Sequence, residues 1–267
     1  MKNELLLSEL QSDEKSLLDL FLLIEEFVFG TSDTSIQNTE EIIESCRLAI
    51  ADVENPLEQV EILINELFVE HMLIDKKKAF WPVVSFQMET AVDYRVIAPT
   101  LKAVILRYIV ECCDFETDIV FVPDHNMIRV SCDDHYAIIF DPVTGESIDW
   151  HQLDDRMDDI EGDPSDIELL PIEQTSLIIE HLTALKNSLI KESGFNEALK
   201  CVDLLIGLRP EDPFERRDRG FLLHQLDCFK VAYDDYQYFV EQCPKDPAAQ
   251  LLKMQLEKIT VVDNVLH

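Results

Sequence analysis

The sequence predicts an α+β fold in which a helical N-terminal region and a small antiparallel sheet are followed by an all-α region. Apolar residues recur at helical spacing from residue 17 to residue 67. Three short strand-like runs follow between residues 118 and 140, each bounded by turn-forming residues. Beyond residue 171 the chain is helical again and repeats with a fixed period. Helices before a small sheet and paired helices after it indicate an α+β region joined to a separate helical region.

The first predicted helix has recognisable signals at both ends. Apolar residues recur from Leu17 to Phe29, and Gly30 follows at the position where a left-handed residue commonly ends a helix. Ser12 or Asp13 is the predicted cap at the other end. The sequence therefore predicts a helix that covers this apolar run.

Two further helices and a buried one are predicted before the sheet. One passes through residues 42–50, and Asn55-Pro56 opens the next with a cap followed by proline at the first helical position. The stretch from Lys76 to Asp93 has no clear period. Pro99-Thr100 then precedes Leu101 to Cys113, an apolar run whose length and spacing favour a buried helix.

The sheet is predicted to contain three strands separated by turns. Turn-rich segments lie between the strands, and Asp141 to Gly145 ends the last one. The predicted strands are Asp118 to Val122, Met127 to Ser131 and Tyr136 to Phe140.

A domain boundary is predicted near Pro171. The residues before it, from Asp154 onwards, are rich in aspartate and glutamate and include Gly162 and Pro164, which is typical of a linker. The chain is therefore divided into an α+β domain at residues 1–171 and a helical domain at residues 172–267.

The helical region contains an internal repeat. One constant shift superimposes five identical pairs, which are Phe195 and Phe229, Ala198 and Ala232, Pro210 and Pro244, Asp212 and Asp246, and Pro213 and Pro247. The shift matches the tetratricopeptide period of about 34 residues, in which each pair of antiparallel helices buries its apolar face against the next pair. Lys186 stands where the second unit has Gly220, so the first unit is the less regular one.

Charge and composition exclude several classes of function. The formal net charge is -32, from 54 acidic and 22 basic residues, so the surface should repel nucleic acid. We expect no membrane span, because no run approaches the ~18 apolar residues that a bilayer requires. The N-terminus lacks the pattern of a signal peptide, which predicts a cytoplasmic protein.

The metal-ligating residue types are not arranged as ligand sets. The seven cysteines form no CxxC pair, which suits reduced thiols in a reducing compartment. His135 follows Asp133 and Asp134 in a predicted turn, but neighbouring residues lack the spacing of a metal site. We therefore expect no metal and no cofactor.

The most suggestive catalytic constellation is His125 with Asp141. Cysteine-type hydrolysis needs a nucleophile on a helix, with a histidine and a carboxylate on adjacent strands. His125 lies in the turn before one predicted strand and Asp141 ends the next, so the two could face each other. The preceding helix begins with Thr100 rather than cysteine.

Each of these residues also has a structural interpretation. Thr100 can be a helix-starting hydroxyl, His125 an ordinary turn residue, and Asp141 the first residue of a turn before Pro142. Cys132 is a poor nucleophile candidate, since the aspartates beside it should raise its thiol pKa.

A basic cluster lies on the first helix of the regular repeat. Arg216 and Arg219 are one turn apart, whereas Arg217 points elsewhere. These arginines can pair with nearby carboxylates, or they can line a groove that binds a protein or peptide.

Four segments resemble the bacterial SirB/YchA-type family. Arg209 to Gly220 and Gln242 to Pro247 resemble its C-terminal signature. Val122 to Arg129 resembles its Phe-Pro-Gly-His segment, and Phe140 to Gly145 resembles its Asp-Pro-Phe-Asn-Gly turn. The resemblance implies a transglutaminase-like domain followed by tetratricopeptide-like helices.

The chain departs from the family pattern where a nucleophile would be expected. Tyr94 to Leu101 corresponds to the family's Arg-Gly-x-Pro-x-Ser-Leu motif, but it lacks the glycine and contains no cysteine. This departure indicates a degenerate transglutaminase-like domain and argues against peptidase or transglutaminase activity.

Three functional hypotheses remain open at this point. The first is a non-catalytic cytoplasmic protein that recognises a protein or peptide partner. The alternative is a weak cysteine-protease or transglutaminase-like hydrolase that uses His125 and Asp141 with an unusual nucleophile. The third is an acidic chaperone for basic clients, whose affinity would fall as salt is added.

Overall fold

The structure is a computed structural model, and it describes residues 2–12, 14–30, 36–122, 125–133, 135–149, 151–153, 169–254 and 256. The chain forms two compact units. One contains residues 15–26 and 30–178, and the other contains residues 1–14, 27–29 and 179–267. The unit division therefore falls after Ile178, and the segment Met1–Glu14 belongs with the repeat helices. The domain boundary near Pro171 stays a prediction.

The first helices end and begin largely where the capping residues predict. Helix α1 spans Lys2–Leu10 and α2 spans Leu17–Phe29. Gly30 adopts φ 73° and donates its N–H to Glu26, as predicted. The predicted cap is wrong, because Ser16 accepts the hydrogen bond from Asp19 N–H. Its extended backbone, directly before the helix, brings the hydroxyl within reach of that amide.

Helices α3, Gln37–Ile50, and α4, Pro56–Asn65, follow. Asn55 caps α4 by accepting a hydrogen bond from Leu57 N–H at 3.0 Å, as its position before proline predicts. A π-helical turn, Glu66–Glu70, extends α4. The stretch without a clear period contains a 3₁₀ turn, Val83–Phe86, and helix α5, Met88–Tyr94.

Helix α6, Pro99–Cys112, is the buried helix of this unit. Its buried residues run continuously from Thr100 to Leu106, so apolar contacts surround its first two turns. Arg47 on α3 donates two hydrogen bonds to the carbonyl oxygen of Cys112, which ties the end of α6 to α3.

The sheet has four antiparallel strands in the order β1-β2-β3-β4. They are β1 Thr117–Val122, β2 His125–Ser131, β3 Ala137–Phe140 and β4 Ser147–Ile148. The three predicted strands are present, but His125 begins β2 rather than lying in the turn. The fourth strand was not predicted, because so short a segment carries no alternating pattern. One face packs around Val120, Val122, Met127, Ile139 and Leu153.

The unit division falls within α7, Gln174–Lys191, and the repeat unit continues with α8 Phe195–Leu208, α9 Pro213–Gln225 and α10 Phe229–Gln242. Further helical backbone runs from residue 247 to 254. Helices α8 and α10 therefore begin at Phe195 and Phe229, which the internal repeat predicts to be equivalent positions. A Cβ added to Gly220 would lie 2.8 Å from Tyr236, so this close approach requires glycine.

Candidate functional site

The structure brings the predicted histidine and carboxylate together. His125 is the first residue of β2, and Asp141 follows the last residue of β3. The two strands are antiparallel neighbours. Nε2 of His125 lies 3.4 Å from Oδ2 of Asp141. The pairing follows from strand register, since Ile128 opposes Phe140. Continued by one residue, this register places Asp141 level with Met127, and His125 lies two residues further along the same face of β2.

Asp141 also begins a turn, as its position before Pro142 predicts. Its Oδ1 accepts a hydrogen bond from Val143 N–H at 2.7 Å, while Oδ2 faces His125. The side chain is almost fully buried. One carboxylate therefore caps a turn with one oxygen and presents the other to the candidate site.

A lysine that the sequence analysis did not select completes this cluster. Nζ of Lys77 lies 3.2 Å from Oδ2 of Asp141 and 3.4 Å from Nε2 of His125. Lys77 belongs to the stretch with no clear period, so no local pattern placed it near the sheet. The run of lysines at residues 76–78 in an acidic region was the available signal.

These three residues line a cleft of about 550 Å³. Most of its wall is polar, and two apolar side chains contribute the rest. The lining residues are Lys77, His125, Met127, Asp141, Thr144, Glu146, Ser147, Ile148 and Gln152. A cleft with cationic, anionic and amide groups can bind a polar segment by hydrogen bonds and ion pairs.

The nucleophile candidates are not brought to this cleft. Thr100 is the second residue of α6, is 4% exposed and is absent from the lining. Cys112 and Cys113 stand at the opposite end of that helix. None of the seven cysteines, all of which lie in the described residues, lines the cleft.

Cys132 is buried just after β2. Burial is the main cause that raises its thiol pKa, and the charge of Asp133 adds to the effect. The predicted rise of the Cys132 pKa is confirmed, but the neighbouring aspartate that was expected to cause it has the smaller effect. The larger effect is burial, which depends on tertiary packing.

A buried lysine lies beside the candidate site. Lys102 on α6 is 2% exposed, and its Nζ donates hydrogen bonds to the carbonyl oxygens of Leu73 and Val143. Its ammonium group also lies 5.3 Å from the centre of the Phe68 ring. Burial lowers the pKa of Lys102 to about 8. Lys102 lies within an apolar run of the sequence, so no local signal indicated its role.

The predicted partner-binding arginines are engaged inside the repeat unit. Arg216 and Arg219 both contact the buried carboxylate of Asp235, at 3.1 Å and 2.6 Å. Arg217 instead pairs with Asp218 at 2.8 Å, so it faces elsewhere, as its spacing predicts. These contacts match the carboxylate-pairing interpretation, and partner binding by the three arginines stays a prediction.

Two other charged segments were considered as metal sites in the sequence, the Asp133–His135 turn and the acidic run that begins at Asp154. Oδ1 of Asp133 accepts hydrogen bonds from the N–H groups of His135 and Tyr136. Within the described ranges, no three His, Cys, Asp or Glu residues are grouped to hold a metal ion. The acidic run from Asp154 to Asp159 lies outside the described residues. No helix in the described part combines the length and apolar character needed to cross a bilayer.

Two family models match the chain. One is described as the transglutaminase-like superfamily and matches residues 34–197, and the other is a tetratricopeptide repeat model that matches residues 185–257. The first match covers the sheet and continues through α7, and the second covers α8, α9 and α10. No solved structure matches.

The chain is also similar to three bacterial proteins. SirB1 of Salmonella typhimurium is 26% identical over 269 residues, which cover 98% of this chain and 99% of SirB1. A UPF0162 protein of Vibrio cholerae is 27% identical over 222 residues, or 82% of each chain. UPF0162 protein YchA of Escherichia coli is 34% identical over 173 residues, which cover 64% of each chain.

Proposed function

The chain belongs to the transglutaminase-like superfamily and to the SirB/YchA-type family, and from this premise we propose that it is a non-catalytic cytoplasmic protein that binds and regulates a protein partner. The observation that carries the proposal is the position of Lys77. Its ammonium group contacts both members of the histidine and carboxylate pair.

This arrangement is unsuited to base catalysis by His125. A catalytic imidazole must accept a proton from a nucleophile while a carboxylate orients its other nitrogen. Here the same ring nitrogen, Nε2, faces both Asp141 and the ammonium group of Lys77. The nitrogen that would have to accept the proton of a nucleophile is therefore already in contact with the Lys77 and Asp141 pair.

The helix that would carry a nucleophile supports the same proposal. Thr100 replaces the cysteine expected at the start of α6, and its side chain is buried. The cleft therefore offers charged and hydrogen-bonding groups without a thiol. We interpret it as a recognition surface rather than as a catalytic one.

The repeat helices supply the second support for the proposal. Tetratricopeptide repeats stack helix pairs into surfaces that commonly bind proteins. A polar cleft in one unit and repeat helices in the other suit a protein that recognises a partner.

The proposal is tested by comparing binding with turnover. Wild type, His125→Ala and the matched control His135→Ala are immobilised, and captured proteins are analysed by intact mass. We expect wild type and His135→Ala to retain the same partner, and every protein captured by any of the three to keep its mass. The same variants should show no His125-dependent hydrolysis of peptides and no amine incorporation into glutamine peptides.

A hydrolase is the second candidate function, because His125 and Asp141 lie 3.4 Å apart at a cleft of about 550 Å³. A partner cleaved or modified by wild type and by His135→Ala, but left intact by His125→Ala, would overturn the non-catalytic proposal in its favour.

A further inference from the structure

A second groove, of about 480 Å³, lies between α4 and the edge of the sheet. It shares Ser147, Ile148 and Gln152 with the cleft that holds His125. The side chains that determine its character are Leu57, Glu61, Ile64, Ile138, Ile148 and Asp149.

The groove exists because β4 is shorter than β3. Ser147 and Ile148 pair only with Phe140 and Ile139. Ala137 and Ile138 pair with β2 on their other side, and within the described residues no residue of β4 opposes them. The space beside the first half of β3 is therefore left between the sheet and α4.

The walls of the groove are aliphatic and partly exposed. Leu57 is 41% exposed, and Ile64, Ile138 and Ile148 are half-buried. A concave surface that leaves large aliphatic groups in contact with water is typical of a binding site. Burial of one further aliphatic side chain there would remove apolar area from water on both partners.

The charge of the groove specifies the kind of partner. Glu61 and Asp149 are the charged residues of its lining, and both are exposed. No lysine or arginine is among the residues that line it in the described part of the chain. A negative border around an apolar floor favours a positively charged ligand with an apolar group at its centre.

We propose that this groove binds a short basic segment of the protein partner. The segment inserts one aliphatic side chain between α4 and β4, while flanking lysines or arginines face Glu61 and Asp149. Because β4 is the edge strand of the sheet, the segment can lie extended along it. This inference rests on the proposed interaction function and names the chemistry of the partner.

The test uses a synthetic probe and the full-length chain. The probe is the peptide acetyl-Lys-Val-Lys-Leu-Lys-Val-Lys-amide, and binding is measured by isotope-edited NMR titration. We expect saturable shifts of the methyl groups of Leu57, Ile64, Ile138 and Ile148. The matched peptide with glutamates in place of the lysines should leave these signals unchanged.

Two charge-reversal variants on α4 distinguish binding in the groove from a general attraction of the basic peptide to the negatively charged protein. Glu61→Lys should weaken the probe about tenfold, whereas Glu58→Lys, one turn away and outside the lining, should weaken it less than about twofold. Leu57→Ser, at a partly exposed site, should also weaken binding while the NMR spectrum stays that of the folded chain.

Equal effects of the two lysine variants, or shifts confined to other surfaces, would overturn the groove as the binding site. A different result would contradict the proposed function, namely turnover of a partner that depends on His125. The peptide titration contains no step that depends on turnover.

Discussion

Nζ of Lys102 lies 3.1 Å from the carbonyl oxygen of Val143, so a buried cation on α6 holds the turn that follows Asp141. The same ammonium group donates to the carbonyl oxygen of Leu73, just before the segment that carries Lys77. Lys102 therefore joins the two segments that supply the candidate site and acts as a positioning residue.

The first prediction concerns stability against pH. Burial lowers the pKa of Lys102 from 10.5 to about 8, so between these values the unfolded chain holds the proton more tightly. The free energy of unfolding of wild type should therefore rise relative to Lys102→Met as the pH increases through this window, by about 3 kcal/mol in total. Urea unfolding of both proteins at several pH values measures the difference. A difference that stays constant would contradict the lowered pKa of Lys102.

The second prediction concerns the carboxylate shared by two arginines. Asp235→Asn removes the negative charge that Arg216 and Arg219 contact. We expect a loss of about 2 kcal/mol in unfolding free energy, somewhat less than for a fully buried pair, because the arginines are partly exposed. Asp234→Asn is the matched control at an exposed site, and it should change stability by less than about 0.5 kcal/mol. Similar losses in both variants would show that the pairing contributes little.

The third prediction compares two glycines with the same backbone conformation. Gly145 has φ 75° and Gly30 has φ 73°, so alanine is strained at both positions. An alanine Cβ at Gly145 would lie 2.5 Å from the Phe68 ring, whereas nothing lies within 4 Å at Gly30. Gly145→Ala should therefore lower the unfolding free energy by at least about 1 kcal/mol more than Gly30→Ala. Calorimetry of the two variants checks this, and equal losses would rule out the steric contribution.

The fourth prediction concerns thiol reactivity. Cys228 is exposed, whereas burial raises the thiol pKa of Cys201 and of Cys132. Iodoacetamide at neutral pH should label Cys228 first and should reach Cys201 and Cys132 only after urea is added. Peptide mass mapping at timed intervals follows each site. Rapid native labelling of Cys132 would instead indicate a reactive thiol near the sheet and would favour the hydrolase.

Local signals predicted the elements that depend on neighbouring residues. Leu17 to Phe29 is helical over its full predicted length, and Asn55 caps the helix that begins at Pro56. Equivalent repeat helices begin at Phe195 and at Phe229, as the internal repeat predicts. Capping and amphipathic spacing act between near neighbours along the chain, so the sequence carries them directly.

Elements with little local pattern were misplaced or missed. Strand β4 consists of Ser147 and Ile148 alone and exists only because Ile139 and Phe140 are opposite to it. The cap of α2 was placed too early, since several residues before the apolar run could accept the hydrogen bond and only the backbone conformation at Ser16 selects one.

The sequence by itself determined the α+β character, the repeat period and the absence of cysteine at the start of α6, and it indicated that His125 and Asp141 could face each other. Only the tertiary structure decided that Lys77 contacts that pair, that Lys102 holds the turn beside it and that Asp235 receives two arginines. These contacts join segments that are distant along the chain. Their geometry depends on how helices and strands pack, which no short stretch of sequence encodes.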